Sequence, residues 1–374
     1  MKSSNERYQR QLTLKGFGKA AQEALLNAKV LVIGAGGLGC PVLQYLTAAG
    51  VGCIGIVDDD IVSISNLHRQ VLYDTNDIGK SKVTIAAAKL RLMNPDVELV
   101  EYKFYLDKNN CLAVISNYDV IVDCTDNFSS RYMINDACVL KEKPLVFAAV
   151  NRFEGQVSVF NAIEKGKNVS GNYRDLFPNQ PMNDEVMNCA EAGVLGVLPG
   201  IIGSMQANEV IKFIAGIGTP LINQLLTYNA LNNQVAVFDY KSHIQSSEYI
   251  PKREDEFLKM NYEAECLTNN NRFEINTEQF DEILLQNDCK IVDVRELYEL
   301  PSVNEFVHIK IPLAELKSRI TELTDKKVIF LCQSGIRSML AAAMAKEYFG
   351  NNCECFSLKG GIVAWKQLHA KELI

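Results

Sequence analysis

The sequence has no long uninterrupted apolar run, no excess of positive charge, no low-complexity block and no internal repeat. Each absence removes a class of protein. Its most apolar stretch, Gly193 to Ile217, is broken by Pro199, Gln206, Asn208, Glu209 and Lys212, which predicts a buried helix and not a membrane span. The opening MKSSNERYQRQ lacks an apolar core, so no secretory leader is expected there. With 38 Lys+Arg against 45 Asp+Glu, the formal net charge is −7. That balance argues against nucleic acid as the main partner, and a pair such as Lys326-Lys327 is too small to track a phosphate backbone. Eleven cysteines, an odd number, are scattered through apolar segments, which predicts reduced core thiols and a cytoplasmic protein.

What is present is an ordinary globular composition, 48% hydrophobic and 22% charged, over 374 residues, enough for two or three domains. Short apolar runs alternate with helical stretches. "VLVIG" (Val30–Gly34) precedes a helix from Leu38 to Ala49, and "CIGIVD" (Cys53–Asp58) precedes one from Lys80 to Asn94. "VELVEY" and "YDVIVDCTD" add strands, Ser129–Lys141 a helix and "PLVFAAV" a strand. The alternation predicts an α/β fold, a Rossmann-like, doubly wound, mostly parallel sheet. After Gln156 the pattern changes to short strands and loops, then the long apolar helix. A charged, Asn-rich stretch of little periodicity reads as a connector, and a second, smaller α/β pattern follows. It has a helix at Thr277–Gln286, strands "KIVDV" and "VIFLC", and a helix at Ser338–Tyr348. The expected domains are residues 1–240 and 272–374, joined by 241–271.

"GAGGLG" (Gly34–Gly39) lies between a strand and a helix, where Gly34, Gly36, Gly37 and Gly39 let the backbone approach phosphate oxygens at a helix N-terminus. Asp58 ends the next strand, where a carboxylate can accept ribose hydroxyls. On its own the turn fits NAD about as well as ATP. Three further elements separate the two. "DDDIVSISNLHRQ" places Asp60, Asn66, Arg69 and Gln70 beyond the ribose position, "GKSK" puts Lys82 at a helix start, and "DCTDN" ends a strand with Asp126. Hydride transfer needs no metal, whereas attack on an α-phosphate builds negative charge that Arg, Lys and a Mg²⁺-binding carboxylate offset. Taken singly, Arg69 and Lys82 also fit solvated loop charges, and Asp126 fits a helix cap. Their grouping around one glycine turn favours nucleotidyl transfer.

"RYQRQ", "GAGGLGC", "SNLHRQ", "GKSK", "DCTDN" and "EAGVLGVLPG", in that order, resemble the ThiF/MoeB/E1 superfamily of adenylyltransferases over about the first two thirds of the chain. The resemblance implies a homodimer that uses ATP and Mg²⁺ to adenylylate the C-terminal Gly-Gly carboxylate of a ubiquitin-like sulfur-carrier protein of the MoaD/ThiS type. It assigns ribose to Asp58, phosphates to Arg69 and Lys82, Mg²⁺ to Asp126, and a reach into the partner subunit's site to Arg10. Relatives often carry two Cys-x-x-Cys pairs holding a structural zinc. Here "GNYRDLFP" reads Asn172-Tyr-Arg-Asp175 at the first pair, and "MNYEAECLT" keeps only Cys266 at the second, so no zinc site is expected. Cys189, in "MNCAEAGVLG", sits where superfamily members place a thiol that engages the activated carrier; a small buried residue fits that position equally.

In "FLCQSGIRSMLA" a cysteine stands where an apolar strand stops. With "IVDVREL" before it and "LKGGIVAW" after it, the stretch from about Arg272 to Ile374 resembles a rhodanese domain. The resemblance implies a loop from Cys332 to Arg337 whose amides, Arg337 and the helix starting near Ser338 stabilise a thiolate or persulfide. "NEFVHIKIPLAEL" lacks the glycine usual before this family's His-Ile pair, and His308 is expected to be structural. The combined expectation is an enzyme that makes an acyl-adenylate and converts it to a thiocarboxylate with Cys332 persulfide sulfur, for molybdopterin or thiamin biosynthesis, with a cysteine desulfurase as a possible donor. Its rivals are an NAD-dependent oxidoreductase with a passenger thiol domain and a non-catalytic, E1-like partner-binding subunit; a tRNA-modifying role is disfavoured by the acidity and the appended sulfur domain.

Overall fold

Runs of Val, Ile and Leu with no polar alternation suit strands covered on both faces, and this chain uses them so. The structure, a computed structural model, describes residues 6–163, 169–178, 180, 193–242, 249–262, 273–286, 289–297, 299 and 301–370. It divides into two units, Met1–Ala264 and Glu265–Ile374. In the first, β1 (Lys29–Ile33), β2 (Cys53–Val57), β3 (Glu98–Tyr102), β4 (Val120–Asp123) and β5 (Leu145–Asn151) pair in parallel. β6 (Glu154–Phe160), β7 (Gln224–Asn229) and β8 (Gln234–Asp239) extend the sheet antiparallel, giving the order β3-β2-β1-β4-β5-β6-β7-β8. The expected doubly wound sheet is therefore present, lengthened by hairpins on one side.

Two apolar layers cover this sheet. On one face lie α1 (Gln9–Leu12) and α2 (Gly18–Asn27), followed by α3 (Gly39–Ala49) and α4 (Lys82–Met93). From α2, α3 and α4, Leu25, Leu43, Leu46, Ala87 and Leu90 join one core. On the other face are α5 (Cys111–Ser116), α6 (Phe128–Leu140) and the short α7 (Tyr173–Leu176), with Ile115, Ile134 and Tyr173 in the second core. The long apolar stretch forms α8 (Val197–Ala215), a buried helix as expected. Its polar residues tie it to the sheet: Gln206 Nε2 donates to the carbonyls of Asp123 (2.7 Å) and Val146 (3.0 Å), and Glu209 accepts from Leu221 N (2.8 Å). Among the described residues no helix is long and apolar enough to cross a membrane. Part of the stretch expected to connect the domains packs onto this unit: α9 (Glu254–Lys259) buries Phe257 in the second core.

The second unit is a five-stranded parallel sheet. Its elements are β9 (Glu274–Ile275), α10 (Thr277–Gln286), β10 (Lys290–Asp293), β11 (Ile309–Lys310) and α11 (Leu313–Arg319). β12 (Lys327–Leu331), α12 (Ile336–Phe349), β13 (Glu354–Leu358) and α13 (Gly361–Ala370) complete it. Val328 and Phe330 face one core and Ile329 and Leu331 the other, the alternation a two-sided strand requires.

Candidate active site

β1 lies between β2 and β4, so the chain leaves it in opposite directions and opens a crevice beyond the strands' carboxyl ends. Register decides what stands there. Ile33 is level with Val57 on one side and Asp123 on the other, so Gly34, Asp58 and Cys124 leave the sheet together. Gly34 has φ +99, and a Cβ there would lie 2.8 Å from the Cys124 carbonyl oxygen, so only glycine fits this first position of the turn. A cavity of about 430 Å³ opens above it.

Nine of the residues expected from sequence line that one cavity: Gly34, Gly36, Gly37, Asp58, Asp60, Arg69, Gln70, Lys82 and Asp126. The Asp58 carboxylate accepts from Ala35 N and Asp60 N, both at 2.8 Å, and burial raises its pKa. Lys82 is buried, and its Nζ donates to Asp60 Oδ2 at 2.6 Å. Burial pushes the Asp60 carboxyl up, but the Lys82 hydrogen bond and charge prevail and leave it below the usual range. Arg69 Nη1 reaches the Ser65 carbonyl at 2.9 Å and lies 2.8 Å from His68 Nε2; burial, then the Arg69 charge, lowers the pKa of His68. Asp126 is exposed. The α6 cap is its neighbour Asn127, whose side chain accepts from Ser130 N at 2.8 Å, so capping does not explain Asp126.

Three expected residues stand elsewhere. Gly39 packs beneath the turn, where a Cβ would meet the Gly34 carbonyl oxygen at 2.0 Å. Asn66 turns its side chain inward to accept from Ser63 N at 3.2 Å. Arg10 is exposed on α1 and does not line its own chain's cavity. Cys189 and Cys266 lie outside the described residues. One cation was missed by sequence reading: Arg131, buried on α6, lines the cavity with its guanidinium over the rings of Phe147 (5.1 Å), Phe128 (5.5 Å) and Tyr173 (5.9 Å). The sequence offers no signal for it, because the helix also carries Ser129, Ser130, Asn135 and Asp136.

At the edge where relatives' cysteine pairs would fall, Arg174 forks onto Asp136, with Nε and Nη2 each 2.7 Å from a carboxylate oxygen. Tyr262 OH donates to the same carboxylate at 2.9 Å, and Asn135 Oδ1 accepts from Tyr173 N at 2.8 Å. Burial raises the Asp136 pKa, against the pull of Arg174. This buried polar cluster joins α6, α7 and the segment after α9.

In the second unit Cys332 follows β12 and is fully buried. Its Sγ accepts from Gly335 N at 3.2 Å, and the Ser338 hydroxyl lies 3.5 Å away. Gly335 has φ +100, which turns its amide toward the sulfur and starts α12. Arg337 forks onto Glu299 at 2.6 and 2.7 Å. Burial pushes the Glu299 carboxyl up, yet its bonds to Arg337 and Glu296 N leave it below its ordinary value.

A glycine-turn cavity with converging charges and a second sheet presenting a cysteine loop fit two known families. Residues 8–248 match the ThiF family, and residues 276–368 match the rhodanese-like domain. The chain belongs to the ThiF family. This ThiF-family chain is 37% identical to "Adenylyltransferase and sulfurtransferase MOCS3" of Xenopus laevis, covering 96% of this chain and 86% of that protein. It is 36% identical to "Probable adenylyltransferase/sulfurtransferase MoeZ" of Mycobacterium tuberculosis, over 98% and 94% of the two chains. It is 50% identical to "Sulfur carrier protein adenylyltransferase" of Thermus thermophilus, over 62% of this chain and 85% of that one. The crystal structure of E. coli MccB with ATP shares the fold, with TM-score 0.56 and 24% identity over 64% of this chain and 73% of that chain. The chain is an adenylyltransferase joined to a sulfurtransferase.

Proposed function

We propose that the N-terminal cavity binds ATP across the glycine turn and adenylylates the C-terminal Gly-Gly carboxylate of a ubiquitin-like sulfur-carrier protein. Cys332 then supplies sulfur to the activated carboxylate. The observation that carries this reading is the convergence of Arg69, Lys82 and the exposed carboxylate Asp126 on one cavity at the glycine turn. Relatives named as sulfur-carrier and molybdopterin-synthase adenylyltransferases support the substrate class.

A carboxylate oxygen of the carrier attacks the α-phosphorus, the bond to the β-phosphate's bridging oxygen breaks, and pyrophosphate leaves. Backbone amides of Gly36 and Gly37 and the α3 N-terminus face the phosphates, Asp58 accepts ribose hydroxyls, and Arg69 and Lys82 offset the charge that builds at phosphorus. Asp126 suits Mg²⁺, which is commonly held by one or two carboxylates together with nucleotide phosphates. When bound, that cation would neutralise phosphate charge. Arg10, exposed and outside its own cavity, fits a homodimer in which it enters the partner subunit's site.

The outer sulfur of a Cys332 persulfide then attacks the acyl carbon and AMP leaves, giving a carrier acyl disulfide on Cys332. A thiol reductant cleaves that S–S bond, releasing the carrier thiocarboxylate and leaving Cys332 in a disulfide with the reductant. The Gly335 amide and Ser338 hydroxyl stabilise the sulfur anion. A cysteine desulfurase suits the role of persulfide donor, and a reducing cytoplasm suits buried thiols such as those of Cys40, Cys111 and Cys138. The test is ATP–pyrophosphate exchange with carriers ending in Gly-Gly, followed by mass measurement of the carrier. Exchange above background and an oxygen-to-sulfur mass change are expected. Background exchange with both molybdopterin-type and thiazole-type carriers would overturn the reading.

A further inference from the structure

Asp126 stands at the tip of the β4–α6 loop, and the residue before it is held at each of its polar groups. Thr125 N and Oγ1 both donate to Asp123 Oδ1, at 2.9 and 2.6 Å. The Thr125 carbonyl accepts from Arg131 Nη2 at 3.3 Å. Asp123 is the last residue of β4, fully buried, with neighbouring strands on both sides. Its other oxygen, Oδ2, lies 3.9 Å from Arg131 Nε, an ion-pair contact without a hydrogen bond. On the far side of Asp126, Asn127 is fixed by its cap to Ser130 N.

A buried carboxylate–guanidinium pair is a poor device for stability alone, because desolvation consumes most of the attraction and an apolar pair of similar volume does as well. This pair does something an apolar pair cannot. It uses one carboxylate oxygen and one guanidinium nitrogen to hold one loop residue, while the aromatic rings of Phe128, Phe147 and Tyr173 fix the guanidinium. With the chain held immediately before and after it, the direction in which Asp126 leaves the backbone is set.

We propose that Asp123 and Arg131 are positioning residues that hold the Thr125–Asp126 loop so that the Asp126 carboxylate is preset for the cation accompanying the nucleotide. The inference rests on the reading of Asp126 as the Mg²⁺ ligand. Removing partners that orient a metal ligand commonly weakens metal affinity about 10–100-fold.

The experiment measures binding of a non-hydrolysable ATP analogue to the full chain with Mn²⁺ and in chelator, and takes the ratio of the two affinities. Thr125→Val, which removes one hydrogen bond without stranding a charge, should shrink that ratio several-fold. Arg131→Met should shrink it about tenfold or more, with partial rescue by Arg131→Lys. Asp126→Ala should reduce it to about one. A merely structural role weakens both arms together and leaves the ratio intact. An unchanged ratio in Thr125→Val and Arg131→Met, with Asp126→Ala reduced, overturns the positioning role and spares the Mg²⁺ reading. A ratio unchanged in Asp126→Ala overturns both.

Discussion

The two sites stand at corresponding places, at the carboxyl ends of parallel strands, yet they manage charge in opposite ways. The cavity beyond β1 and β4 leaves Asp126 exposed and gathers Arg69, Lys82 and Arg131 along its wall. The loop beyond β12 closes over Cys332, whose sulfur meets a backbone amide and a hydroxyl, while the loop's arginine is committed to Glu299. A site whose charge arrives with the substrate needs reachable cations. A site that retains one sulfur anion is served by fixed dipoles that exclude water. Fusion places an activated carboxylate and a sulfur donor in one chain, which raises the effective concentration of one for the other.

If the division of labour is real, breaking one site should spare the other. Cys332→Ala should abolish sulfur transfer from thiosulfate or a persulfide donor and leave ATP–pyrophosphate exchange within about twofold of wild type. Asp126→Ala should lower exchange by about 100-fold or more and leave thiosulfate turnover intact. Loss of both activities in either variant would collapse the comparison.

The units should also separate in stability. Asp136→Ala strands the Arg174 guanidinium and removes the acceptor of Tyr262, an effect of about 3–5 kcal/mol. The only tryptophan, Trp365, lies on α13 in the second unit. In urea unfolding of the full chain, the circular-dichroism transition should move to lower denaturant while the Trp365 fluorescence transition stays in place. Wild-type stability should not change with chelator, because the edge is held by a carboxylate and a guanidinium. A chelator-sensitive transition would contradict that account.

Much of the fold was legible because burial on both faces imposes continuous apolar runs, and glycine at a strand end leaves a mark no other residue imitates. The positions of Gly34, Asp58, Lys82 and Asp126 follow from where strands and helices begin and stop. Arg131 was not legible, because its role depends on an inward-facing rotation of α6 and on rings contributed by β5 and α7. Asn66 does not line the cavity, because a polar residue in a turn can serve its own backbone as readily as a ligand. The Arg174–Asp136–Tyr262 cluster was hidden because its members lie far apart in the chain. The same holds for Glu299, whose partner is known only once β10 and β12 pair.

Glu299 yields the smallest effect and the finest test of the contrast between the sites. Its carboxyl is held below its ordinary value, so the Arg337 pair contributes stability that is fully present above the unfolded carboxylate pKa, about 4.3, and lost as pH falls through the lower folded value. Glu299→Gln removes the charge at every pH. The Trp365-monitored stability of wild type should exceed that of Glu299→Gln by about 1 kcal/mol at neutral pH, since the pair is only partly shielded from solvent. The gap should narrow as wild-type Glu299 takes up its proton at acid pH and the two proteins become alike in charge. A gap that persisted unchanged through that titration would mean that the pair acts through shape alone and that the Cys332 loop gains nothing from its ionic tie.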